Sequence, residues 1–148
     1  MTFGTTADKP WFETLPTERG ASFTGRTFSR FHIIGDGRET PTVGEIWANS
    51  DHAVKAHAHD SDELLYVLSG AIEVNGRRLE ANDVVYIPSG AAYNARVLSD
   101  EGSRVLRIEL PKANSRRGEP EYDAKIWLGP LTKEGTPNLG DSSKVSAE

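Results

Sequence analysis

The sequence predicts an all-β domain, a sandwich or a barrel. Three observations carry that expectation. Short runs rich in β-branched and aromatic residues recur through the middle of the chain. Turn signals separate them at short intervals: Gly35-Asp36-Gly37, Ser69-Gly70, Asn75-Gly76, Pro88-Ser89-Gly90 and Asp100-Glu101-Gly102. No segment keeps a helical period beyond two turns.

The expected strands follow in order. Residues 22–34 alternate β-branched and aromatic side chains, and Thr42 to Ala48 reads as the next strand. Ala53–His59, Glu63–Leu68, Ala71–Val74 and Arg77–Glu80 come next, then Asp83–Ile87, Ala92–Leu98 and Arg104–Leu110. Asn75-Gly76 between two short runs marks a hairpin, because a type I′ turn needs positive φ at both positions. The ends differ from this middle. Pro10-Trp11-Phe12 through Pro16 is apolar enough to pack as a strap. Glu121–Leu131 holds Tyr122, Ile126, Trp127 and Leu131 and is expected to dock on the barrel. Beyond Thr132 only Leu139, Val145 and Ala147 offer apolar surface, so residues 132–148 are expected to form a mobile tail.

A chain of 148 residues is most simply one domain with a core of its own. Without cysteine it has no disulfide, thiolate zinc site or cysteine nucleophile, which suits a reducing compartment. MTFGTTADKPWFET has neither a basic start nor an apolar run, so no secretory signal is expected. The longest apolar run, Leu64 to Leu68, is far too short to span a bilayer. Net charge is −5 and the basic residues are scattered, which argues against a nucleic-acid face. The expectation is a soluble cytoplasmic protein acting on small molecules, with no membrane partner.

The stretch HAHDSDELLYVLSG, residues 57–70, carries the chemistry. His57 and His59 on one strand point the same way, because side chains alternate with a period of two. Glu63 follows across a short turn and can return to the same point. Two imidazoles and one carboxylate form a facial ligand set that leaves metal positions open.

These residues resemble the first motif of the cupin superfamily: a glycine, five residues, His-x-His, three or four residues, Glu, six residues, Gly. His57, His59, Glu63 and Gly70 fit it, and Asp51 replaces the leading glycine. In the second motif Asn82 stands for glycine and Pro88 fits. Tyr93 stands where the family has histidine, and Val97 replaces the asparagine. The resemblance covers residues 42–110. It implies a double-stranded β-helix, or jelly-roll barrel, over residues 1–131, and a homodimer. It also implies one divalent ion, Fe, Mn, Ni, Zn or Co, held by His57, His59 and Glu63 and touched or neighboured by Tyr93.

The four histidines are His32, His52, His57 and His59, so a third imidazole has to come from His32 or His52. More often such residues are packed or exposed. Two readings of Tyr93 are open. It is a metal ligand or acid/base group whose pKa a nearby cation lowers, or it fills the space of a lost ligand. Burying two histidines and a glutamate without a metal is costly, which favours function. Leu65 and Val67 share the face of Glu63 and are expected to line the pocket. Tyr66 points away and packs. Glu45 and Trp47 share a face that parity alone does not place. Arg104 and Arg107 point to opposite sides of the last strand. One can reach the cavity and an anionic substrate, though a solvated surface is the expectation. Asp60, Ser61 and Asp62 are expected merely to make the turn.

Cupins with a tyrosine at or beside the metal include lyases and dehydratases. The resemblance therefore implies non-redox lyase, dehydratase or isomerase chemistry on a carboxylate- or carbonyl-bearing molecule, with Tyr93 and Glu63 as the catalytic pair and Tyr93 acting as phenolate. An Fe(II) dioxygenase and a non-catalytic small-molecule binder are the alternatives.

Overall fold

The computed structural model describes residues 10–14, 23–59 and 61–111. Within them eleven strands form two sheets, and every pairing is antiparallel. The strands are β1 (Phe12–Thr14), β2 (Phe23–Thr24), β3 (Thr27–Ile33), β4 (Thr42–Ala48), β5 (Ala53–His57) and β6 (Glu63–Ser69). They continue with β7 (Ala71–Val74), β8 (Arg77–Glu80), β9 (Val84–Ile87), β10 (Tyr93–Val97) and β11 (Ser103–Glu109). One sheet has the order β1-β3-β4-β11-β6-β9, the other β2-β5-β10-β7-β8. Consecutive strands alternate between the sheets at several points, as in a jelly roll.

The expected strands are present with short shifts at their ends. The run over residues 22–34 divides at Gly25, and its halves join different sheets. Gly25 has φ of 72°, and a Cβ there would lie 2.6 Å from the Asp51 carbonyl. A side chain is therefore excluded at this crossing. Asn75 and Gly76 have φ of 47° and 79°, which makes the β7–β8 hairpin the primed turn expected. Asn82, where the family has glycine, still adopts a φ of 76°. Asparagine tolerates the left-handed region better than most residues, so the motif keeps its turn.

The strap expected at the N-terminus forms β1 and pairs with β3, Phe12 opposite Ser29. The Phe12 and Phe31 rings stack at 5.8 Å. β1 thus covers the Thr27–Ser29 part of the β3 edge. Residues 121–131 and 132–148, where docking and a mobile tail are expected, lie outside the described residues.

The core joins the two sheets. Leu65, Val67, Ile87 and Val105 come from the six-stranded sheet, and Ile72, Val74, Leu79 and Tyr93 from the other. Each such side chain contributes about 1.5–3 kcal/mol on burial. Register then decides which polar side chains face inward. Arg107 lies opposite Leu65 of β6 and Gly44 of β4, and Glu109 lies opposite Glu63. Directly paired residues share a face, so Arg107, Glu109 and Glu63 lie on the side of buried Leu65.

Candidate metal centre and acid–base site

The first histidine closes β5. His57 is directly opposite Tyr93 of β10, with ring centroids 4.3 Å apart. Its Nδ1 is 2.8 Å from the Lys55 carbonyl, which can only accept, so Nδ1 carries the proton. In the neutral ring Nε2 is then left with its lone pair, the arrangement of a metal-ligating histidine. Burial pulls the His57 pKa down, against the Lys55 hydrogen bond and the Glu63 charge. The neutral ring is therefore favoured.

His59 follows β5, perpendicular to His57 at 5.0 Å between centroids. Its carbonyl accepts from the Gly90 amide at 2.9 Å, which ties the motif to the Pro88–Gly90 loop. The turn after it does more than reverse the chain. Asp62 is buried, accepts the Ser89 amide at 2.7 Å and the Tyr86 hydroxyl at 2.9 Å, and so joins the loop to β9. Ser61 donates to Glu109 at 2.9 Å. The expectation of a bare turn is corrected for both. Asp60 lies outside the described residues.

Glu63 is fully buried. Arg107 Nε donates to its Oε2 at 2.8 Å, and Oε1 stands 3.8 Å from His59 Nε2. The Tyr93 phenol neighbours this carboxylate and helps hold it ionised. Burial would raise the Glu63 pKa, but the charges of His59 and Arg107 and the donors of Tyr93 and Arg107 outweigh it and hold it at about 2. Tyr93 moves the other way. Burial and the Glu63 charge push its pKa well above 10, with Arg107 opposing. Burial and the Glu63 charge thus favour the protonated phenol, against the lowering that a bound cation would exert.

The remaining residues fall into place by face. Arg107 points inward with its side chain only 12% exposed, which corrects the expected solvated surface; its Nη2 is 3.2 Å from Glu109. Glu45 and Trp47 lie on the outer side of the sheet with Arg104. There Glu45 Oε2 receives Arg104 at 2.7 Å and Arg30 at 2.9 Å, and Oε1 lies 3.1 Å from His32. His52 Nδ1 bonds the Thr24 carbonyl at 3.0 Å, and its ring lies against Phe23. Neither His32 nor His52 joins the site. Tyr66 donates to Asn82 at 2.9 Å, away from the cavity.

The donor set can be tested against a divalent ion on one observation. Glu63 Oε1 is buried and takes no hydrogen bond of good geometry. Two donors sharing one tetrahedral ion at about 2.1 Å stand roughly 3.4 Å apart, close to the spacing from His59. Chemistry and spacing fit for this pair. Among the described residues, however, no three His, Cys, Asp or Glu side chains stand preformed as a ligand group, so His57 lies beside the pair and its ring would have to turn to complete the set.

The model of the Cupin domain family matches residues 46–109, the stretch that contains both motifs. Over residues 46–109 the chain carries a cupin domain. Solved structures share the cupin fold at low identity. A KdgF from Halomonas sp. is 17% identical with a TM-score of 0.56, covering 74% of this chain and 94% of that one. A "predicted oxalate decarboxylase" from Thermotoga maritima is 16% identical with a TM-score of 0.59, covering 73% and 97%. The structure of Rhodobacter sphaeroides SigE with the anti-sigma ChrR matches at 20% identity and a TM-score of 0.55. That match covers 71% of this cupin, which spans only 51% of the chain it matches. Among curated proteins none matches the sequence. Among the described residues no helix is long and apolar enough to cross a membrane.

Proposed function

We propose that this cupin is a metal-dependent, homodimeric enzyme acting on a small carboxylate- or carbonyl-bearing molecule by lyase, dehydratase or isomerase chemistry. The observation that carries this reading is the buried Tyr93 phenol, opposite His57 with ring centroids 4.3 Å apart and beside buried Glu63. His57, His59 and Glu63 would hold the ion, with Tyr93 beside them. When bound, the ion supplies Lewis-acid polarisation of a substrate oxygen. Tyr93 supplies the proton. Its phenol starts protonated, so it acts first as an acid toward a leaving group or a developing enolate oxygen. Glu63 orients that phenol, and the Lys55 carbonyl fixes the His57 tautomer. Leu65 and Val67, both buried, belong to the same core cluster as Tyr93 and keep water from that side of the site.

The test is metal content followed by proton exchange. The purified protein is loaded with Zn²⁺ or Mn²⁺, and small hydroxy- and keto-acids are followed in D₂O by NMR. Exchange or elimination that falls by about two to four orders of magnitude in Tyr93→Phe, with metal retained, is the expected result. His57→Ala is expected to lose most bound metal, and full occupancy in that variant would sink the assignment. Oxygen consumption with Fe(II) would instead favour a dioxygenase. A second reading, a non-catalytic binding cupin, is favoured by the absence of a three-ligand group among the described residues, and a protein that takes up no metal would support it.

A further inference from the structure

Glu63 is the most enclosed charge among the described residues, and the cation that meets it belongs to the chain itself. Arg107 reaches it from β11 through Nε at 2.8 Å. The same guanidinium lies 3.2 Å from Glu109, whose other oxygen is held by Ser61 at 2.9 Å. A chain of contacts therefore runs from the turn after His59, through Ser61, Glu109 and Arg107, to Glu63. Arg107 takes one carboxylate oxygen, Oε2. The other, Oε1, is left buried, without a hydrogen bond of good geometry, and facing His59. A carboxylate gripped on one side presents the opposite side.

We infer that Arg107 is a positioning residue with two effects: it orients Glu63 so that Oε1 faces His59, and it supplies the counter-charge that keeps the barrel folded when no ion is bound. The inference rests on the ion site proposed above. Its physical basis is the desolvation cost of a buried carboxylate without a partner. In the native chain the arginine meets that cost, so folding does not depend on metal. Without the arginine, a divalent ion becomes the remaining source of positive charge at Glu63 apart from His59.

The experiment compares the full chain with Arg107→Lys, Arg107→Met, Glu63→Gln and the double variant Arg107→Met/Glu63→Gln. Melting temperature is read in EDTA and in excess Zn²⁺, and bound zinc is measured by titration. The native protein is expected to melt at nearly the same temperature in EDTA as in zinc. Arg107→Met is expected to melt far lower in EDTA and to recover in zinc. Adding Glu63→Gln is expected to restore stability in EDTA, because the unpaired charge has gone. Arg107→Lys keeps the charge and loses the planar grip, so zinc binding is expected to weaken about 10–100-fold, as for other residues that hold a ligand from behind.

A double variant no more stable than Arg107→Met, folded or not, would overturn the inference, because Arg107 would then support the fold through other contacts. Native zinc affinity in Arg107→Lys would overturn the orienting role. If the native protein takes up no zinc while Glu63→Gln still rescues Arg107→Met, the ion reading fails and the counter-charge role is supported.

Discussion

Tyr93→Phe isolates one oxygen at the centre of the site. The ring belongs to the core cluster that includes Leu65, Val67 and Val74, and phenylalanine preserves that packing. What is lost is the phenol's interaction with an ionised carboxylate, a charged hydrogen bond at its strongest. Hydrogen bonds to charged groups are worth about 1.5–3 kcal/mol, against about 1 kcal/mol for neutral pairs. Glu63 keeps the charges of His59 and Arg107, so it stays ionised and remains buried. A destabilisation of about 2 kcal/mol at neutral pH follows. For a domain of this size that corresponds to a fall in Tm of roughly 6–10 °C. Urea unfolding followed by circular dichroism measures it, with an unchanged m value showing that both end states are preserved. Metal content is expected to match the native protein, since His57, His59 and Glu63 are untouched. A loss below about 0.5 kcal/mol would show that the phenol does not support Glu63. Complete loss of metal would make the phenol an essential ligand, and the separation of roles argued above would be wrong.

Two further outcomes follow from the same charges and surfaces. The folded Glu63 carboxyl sits at about 2, below the value of about 4.3 expected unfolded, so about 3 kcal/mol of stability is present above pH ~4.3 and lost progressively toward pH 2. The lowered His57 pKa has the same sign and starts the decline below about pH 6.5; a Tm that is flat from pH 7 to pH 3, or a Glu63→Gln variant with the same acid limb, would refute this. The homodimer has its clearest motive in β9, which borders the six-stranded sheet with Val84 55% and Tyr86 50% exposed. Light scattering at micromolar concentration is expected to give the mass of two chains, and a monomer would refute it.

Much of the fold is legible in the sequence because strands and turns leave local marks. Asn75-Gly76 can hardly be anything but a primed hairpin turn, and Thr42–Ala48 is found with the ends expected. His57 and Glu63 are legible for the same reason, since parity and spacing carry them. The split of residues 22–34 is marked only by Gly25, whose meaning depends on a contact with Asp51, far away in sequence. Asp62 was hidden in a run of turn formers. Its acceptor role becomes visible only when Ser89 and Tyr86 arrive beside it.

Arg107 was hidden for a deeper reason. On β11 the two faces are Ser103, Val105, Arg107, Glu109 and Arg104, Leu106, Ile108. The second set is the more apolar, so hydrophobic alternation alone would turn Arg107 outward. Register reverses that choice, because Arg107 pairs with buried Leu65 and Glu109 pairs with buried Glu63. The signal that was available is electrostatic. Once the first motif commits Glu63 to the interior, and Glu109 lies across from it, that face carries two negative charges. A buried pair of carboxylates needs a cation within reach or must give up its charge. Arg107 shares the parity of Glu109 and stands two residues away, whereas Arg104 has the opposite parity. Charge balance on the inner face, applied after the motif and before the hydrophobic count, selects the arginine that the alternation rule rejects.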